Sequence, residues 1–259
     1  MPELDYAMLP PDHTFDSPDA LERAYGAGFR GAIPDPEAWA AMVGRLAEPY
    51  FTRAAADLAG SGAGKVVLNY KHVLSFDPDA YEERQTTGDC VSHATRNAVD
   101  GTRACEIVAG EPEEWVGRGA TEGIYGSRGH GGQGMHCAGA AEFVSSKAGV
   151  LLRRKYGTVD LSRYDGNLGA GWGTRGVPAE LIEEGRKHPV RRIAVIRSVE
   201  EARDALANGY CLSVCSNQGF ASVRDADGFA RPSGSWSHAM AWLGVDDASG
   251  RKGFLVRNS

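Results

Sequence analysis

The sequence predicts an α+β fold in two lobes, and three features carry that expectation. Segments with helical spacing dominate the first half, more than half of the 34 glycines lie between Gly101 and Gly176, and strand-like segments joined by short turns fill the C-terminal part. A chain of 259 residues that is 42% hydrophobic and 24% charged can bury a core in one large domain or two modest ones. The net charge of −6, without a long Lys/Arg run, argues against a surface built for nucleic acid. The N-terminus, MPELDYAMLPPDHTFD, is acidic and proline-broken, so neither a signal peptide nor a membrane span is expected. Five cysteines at unpaired spacings favour reduced thiols over a disulfide framework, and the expected compartment is the cytoplasm.

The elements follow in order. From Pro36 to Leu58, Trp39, Met42, Leu46, Tyr50, Ala54 and Leu58 recur at three- and four-residue intervals, predicting an amphipathic helix that Pro49 kinks. KVVLNYKHVLSFD reads as a short strand running into the turn QTTGDC. A helix is predicted from Cys90 to Val108, with Val91, Ala94, Ala98, Cys105 and Val108 on its buried face. The glycine-rich passage from Gly123 ends in a helix around Ala138 to Lys147. VRRIAVIRS reads as a strand, VEEARDALANG as a short helix, and YCLSVCS, SHAMAWLGV and GFLVRNS as strands, the last two joined by the turn DDASGRKG.

The chemistry centres on Cys90. A cysteine at a helix start meets unpaired backbone N–H groups and the positive end of the macrodipole, both of which stabilise a thiolate. Thr86, Thr87 and Asp89 are candidate caps just before it. A thiolate nucleophile needs an imidazole to take and return its proton, and a third group to orient that imidazole. His93 is on the same helix, where side chains at i and i+3 splay from one surface and rarely meet head-on. His238 opens an apolar strand about 150 residues beyond Cys90, and Asn258 lies on a strand that a hairpin lays beside it. The other four cysteines read as structural.

Gln85, GDC at Gly88 to Cys90, GHGG at Gly129 to Gly132, ALANGYCLSV, SHAMAWLGV and FLVRNS come in the order found in papain-like cysteine peptidases, the cathepsin family, which the chain from about Asp77 to Ser259 resembles. The resemblance implies a helical lobe carrying the nucleophile helix, about 71–190, and a β-barrel-like lobe carrying His238 and Asn258, about 191–259, after an N-terminal helical extension, 1–70. It implies a thiol-dependent peptidase acting on a peptide or protein substrate, with no cofactor, metal, nucleic acid or membrane. Cys90 would be the nucleophile, His238 the general base and acid, and Asn258 the amide that orients it. Gln85 and the backbone N–H of Cys90 would hold the oxyanion. Gly88, Gly131 and Gly132 would line the substrate, the latter two letting a peptide lie beside the backbone as an added strand.

The chain departs from the family in several places. The Gln-to-Cys interval is one residue shorter, Asp89 stands where a small residue is usual, and Val91 replaces an aromatic. Thr87 and Gly129 or His130 lie where secreted relatives carry a disulfide. Relatives continue past the position of Ser259 with an aromatic that shields the His–Asn bond; the chain therefore reads as truncated, with Trp236 and Trp242 as candidate replacements for that ring. In this family an N-terminal segment often covers the cleft, which raises self-inhibition by the Trp39 to Leu58 helix alongside a plain packing role.

Two other readings remain open: another thiol acyl-transfer enzyme, in which the histidine usually lies much closer to the cysteine, and a catalytically silent peptide-binding or assembly module. GSGAGK fails as a phosphate loop, because Ala59 and Val66 break the pattern and the helix precedes the loop. His136, Cys137, Cys211 and Cys215 lack paired zinc spacing. RDADGF, Arg224 to Phe229, reads as a turn.

Overall fold

The computed structural model describes residues 31–46 and 56–259, and the fold is mixed α and β. Its centre is a long strand, β7 (Ala230–Asp246), with β8 (Gly253–Arg257) antiparallel along one edge. The opposite edge is shared. β6 (Leu212–Arg224) pairs as far as Trp242, and β2 (Val66–Leu68) takes over from Gly244 to Asp246. Val66 to Leu68 fall inside the 1–70 extension expected from the sequence, yet they are a strand of the sheet that carries His238. Among the described residues no helix is long and apolar enough to cross a membrane.

Helix α3 (Cys90–Val108) packs along this sheet, following α1 (Pro36–Arg45) and α2 (Tyr70–Phe76). Small residues make the approach close. Ala94 joins Ala239 in one apolar cluster, Ala104 joins Ala241 and Leu243 in a second, and a Cβ on Gly101 would stand 2.7 Å from the sulfur of Cys211. The helix begins at Cys90, as its pattern predicts, but none of the expected side-chain caps closes it. The Ser92 and His93 amides go to the Asp89 carbonyl, while the Asp89 carboxylate accepts from the Tyr164 hydroxyl at 2.9 Å.

Two helices in the glycine-rich passage escape sequence patterns: α4 (Thr121–Gly126) and α6 (Gly166–Arg175). Glycine weakens helices through backbone entropy, so propensity argues against them. Contact explains them. A Cβ on Gly126 would meet Trp172 at 2.7 Å and one on Gly169 would meet the Glu122 backbone at 3.1 Å, so the missing side chains let the two helices touch. The chain also forms β1 (Ala32–Ile33), β3 (Met135–His136), α5 (Cys137–Glu142) with a π-helical turn over Phe143–Lys147, the small hairpin β4 (Lys155–Tyr156) and β5 (Val159–Asp160), α7 (Ala179–Gly185) and α8 (Val199–Ala207).

Three sequence expectations are corrected. Tyr70 to Phe76 is helical instead of continuing a strand, because Tyr70 and Val73, three apart, face one apolar cluster and the Asn69 amide is tied to the Leu206 carbonyl. VRRIAVIRS forms no named strand, and its arginines Arg191, Arg192 and Arg197 face solvent. The Pro36 to Leu58 helix is present over Pro36–Arg45; Pro49, Tyr50 and Ala54 lie outside the described residues.

A buried ionic cluster fixes the loop that leads to Cys90. Arg153 binds Glu83 through both Nε and Nη2 and reaches Glu122, while Arg96 of α3 holds Glu83 at 3.2 Å. Burial alone would raise the Glu83 carboxyl, but Arg96 and Arg153 outweigh it and hold it at about 2. A depressed carboxylate stabilises the fold fully above the ordinary carboxylate range, and that stabilisation is lost as pH falls toward 2. Replacing Arg153 with methionine leaves Glu122 buried without its cation and strips Glu83 of its paired bond, leaving Arg96 beside it. It should cost about 3–5 kcal/mol in urea unfolding.

Candidate active site

The start of α3 puts the Cys90 sulfur among backbone donors. The amide of Ala239 on β7 faces it from across the interface, and the amides of Cys90 and Val91 face it from its own helix. Ala239 directly follows His238, so the sheet carries the imidazole-bearing residue to the sulfur that the helix presents. His238 Nε2 lies 2.6 Å from Asn258 Oδ1, and the Ser259 amide donates to the same oxygen at 3.0 Å. An oxygen that already accepts from an amide leaves the ring nitrogen to donate. Nε2 therefore carries the proton, and Nδ1 is the basic nitrogen of the neutral ring. The structure thus sets the Ala239 amide at the Cys90 sulfur and the neighbouring His238 against Asn258.

The end of β8 that carries Asn258 is tied down on both sides. Arg257 donates to the Tyr81 carbonyl at 2.5 Å, and the Ser259 hydroxyl donates to Gln85 Oε1 at 2.7 Å. Gln85 is buried, its amide donating to the Thr87 carbonyl at 2.7 Å. Ser259 therefore links the two carboxamides of the site, a role that sequence reasoning missed. The Trp236 ring stands edge-on to His238 at 5.2 Å, whereas Trp242 stacks on Phe254. Of the two tryptophans expected to shield the imidazole, Trp236 is the one beside it. His93 lies 3.5 Å from Asp89 and edge-on to Tyr164, and it is near enough to His238 to act on its charge.

The nucleophile turn is joined to the glycine-rich loop by a side chain. Gln133 Oε1 accepts from the Thr87 hydroxyl at 2.9 Å and from the Gly88 amide at 2.5 Å. Gly88 is packed there rather than open, since an added Cβ would stand 2.7 Å from both Gln133 Oε1 and the Gly134 nitrogen. Gly131 and Gly132 lie in an exposed part of the loop, near Thr174 and the His130 ring. Gly134, with φ of 81°, brings the chain back to β3, which pairs with another strand at Met135 and His136, beyond Gly131 and Gly132. Its position just before the strand-forming Met135 and His136 was the available signal.

That other strand belongs to the chain itself. β1 runs parallel to β3, pairing Ala32 with Met135 and Ile33 with His136, and the Met135 amide donates to the Gly31 carbonyl at 3.0 Å. β1 also contacts β7. Gly31 lies so close to the nucleophile that a Cβ there would be 2.1 Å from the sulfur, and Cys90 is 0% exposed. The helix expected from Trp39 to Leu58 is described only in part. In its described part Met42 is buried and the contact is with α5; Gly31, which precedes it, lies against Cys90.

Closure explains the electrostatics. Burial pushes the Cys90 thiol up to about 12, against the pull of the Ala239 amide, with the Asp89 carboxylate adding to the rise. Burial lowers the His238 imidazole despite its bond to Asn258. Both shifts favour a neutral pair. A raised thiol loses its contribution to the closed form as pH climbs toward 12, and a lowered imidazole loses its contribution as pH falls below the ordinary histidine value.

The reading of all cysteines as reduced is also corrected: Cys137 and Cys215 form a disulfide, and Cys90, Cys105 and Cys211 are free. The two partners are 78 residues apart in sequence, and only the meeting of α5 with β6 brings them together.

No protein-family model matches the chain, and no curated protein does. Among solved structures it is similar to xylellain, a cysteine protease from Xylella fastidiosa, at 15% identity over 67% of this chain and 68% of that one, with a TM-score of 0.45.

Proposed function

We propose that the chain is a thiol-dependent peptidase that hydrolyses peptide bonds through a thioacyl intermediate on Cys90. The observation that carries this reading is the alignment of a helix-start cysteine, the His238–Ala239 peptide and the 2.6 Å contact between His238 and Asn258. In the open cleft, His238 Nδ1 takes the Cys90 proton and the thiolate attacks the scissile carbonyl. The Cys90 amide and the Gln85 side chain receive the developing oxyanion. His238 then returns the proton to the leaving amine, and water activated by the same imidazole releases the acyl group. Asn258 holds the ring throughout. A peptide substrate takes the place of β1 along Met135 and His136, between a helical lobe and a β lobe.

The sealed sulfur favours a second reading, a silent module whose cleft permanently holds its own segment. Mass spectrometry of a mixed peptide library separates the two. Cleavage by wild type and none by Cys90→Ser supports the peptidase, whereas no cleavage by either, even with the cleft opened, supports the silent module.

Ser259→Ala tests the link between the carboxamides. Loss of its hydroxyl bond to Gln85 should lower kcat/KM by roughly fivefold, about 1 kcal/mol, with Cys90 alkylation little changed.

A further inference from the structure

The disulfide lies where the cleft would have to open. β1 pairs with β3 and contacts β7, and Cys137 is the residue immediately after β3. Cys215 pairs across β6 and β7 with Ala239, whose amide faces the Cys90 sulfur. The bridge thus joins the start of α5, directly after β3, to β6, the strand paired with β7, holding the Cα atoms of Cys137 and Cys215 6.6 Å apart. Cys215 is exposed and Cys137 partly so, which leaves the bond open to an attacking thiolate.

We propose that Cys137–Cys215 is a thiol–disulfide exchange site for dithiol reductants, and that its state decides whether Gly31 to Ile33 can leave the cleft. A reductant thiolate attacks the Cys215 sulfur and the bond to Cys137 breaks, with Cys137 leaving as a thiolate that takes a proton. The reductant's second thiol then attacks the mixed disulfide and releases Cys215 as a thiol. Two electrons and two protons pass to the protein, and the reductant departs as its own disulfide. With the bridge closed, the chain leaving β3 stays fastened to β6 opposite Ala239 of β7, and β1 stays clamped. With it open, the segment is held by noncovalent contacts alone: two residues of strand pairing, the His136 contact with the Ile33 carbonyl and the burial of Ala32.

The proposal shares its cleft with the proposed function but is read from access to sulfur, not from hydrolysis. The full chain, oxidised with oxidised dithiothreitol, is pulsed with iodoacetamide, and alkylation is mapped by peptide mass spectrometry. A second sample is first treated with reduced dithiothreitol and desalted, and a Cys215→Ser chain is pulsed without treatment. Cys90 should react about tenfold or more faster in the treated wild type than in the oxidised one, and equally fast in Cys215→Ser with or without treatment. An unchanged Cys90 rate in treated wild type, when Cys137 and Cys215 have themselves become alkylated, overturns the proposal, and this arm needs no variant to fold. Alkylation of both cysteines in the oxidised sample overturns it too, since no bridge would then exist. A chain that shows the redox dependence yet cuts no peptide would sink the peptidase reading and leave the exchange site standing.

Discussion

A Gly31→Val chain should alkylate at Cys90 at least about tenfold faster than wild type under the same redox conditions, because the sulfur reacts only in the fraction of molecules whose cleft is open. The Cβ of any residue at position 31 would stand 2.1 Å from the sulfur, so something must move. The nucleophile helix is nineteen residues long and packed on β7, whereas β1 is a strand of two residues paired with β3. The short strand gives way first. Each 1.4 kcal/mol taken from the closed form is a tenfold gain in the open fraction. Rates of iodoacetamide incorporation at Cys90, read by mass spectrometry, check the prediction; an unaltered rate would mean that Gly31 does not control access.

In that opened chain, His238→Ala should lower peptide hydrolysis by about 10²–10⁴-fold and remove labelling of Cys90 by an epoxide-type inhibitor at neutral pH. His93→Ala should keep both. The difference comes from partners. His238 lies one peptide from the amide that faces the sulfur and is held by Asn258, while His93 has Asp89 and Tyr164 as its neighbours. Loss of labelling in His93→Ala with retention in His238→Ala would transfer the base role.

Much of this arrangement is legible in the sequence because it depends on local pattern. The start of α3 follows from apolar spacing after a Gly-Asp turn, and β6, β7 and β8 follow from β-rich runs with turn residues between them. The order Gln85, Cys90, His238, Asn258 needs no coordinates. What the pattern cannot carry is pairing between distant short pieces. β1 is two residues long and its partner β3 lies about a hundred residues away, so neither has a period to read. The Cys137–Cys215 bond has the same origin, and an odd cysteine count conceals it. Helices α4 and α6 were hidden because their glycines lower helix propensity while permitting the contact that stabilises them. Asp89 looked like a cap, yet its carboxylate is drawn sideways by Tyr164. Such tertiary choices override local preference.

The pH dependence of Cys90 alkylation in the Gly31→Val chain, with and without His238, tests the central claim that this imidazole activates this sulfur. An activated pair keeps its thiolate well below the ordinary cysteine value of about 8.5, so Cys90 should still react at about pH 5–6, and His238→Ala should return the midpoint to about 8.5. Two superimposable curves, both with midpoints near or above the ordinary thiol value, would contradict it.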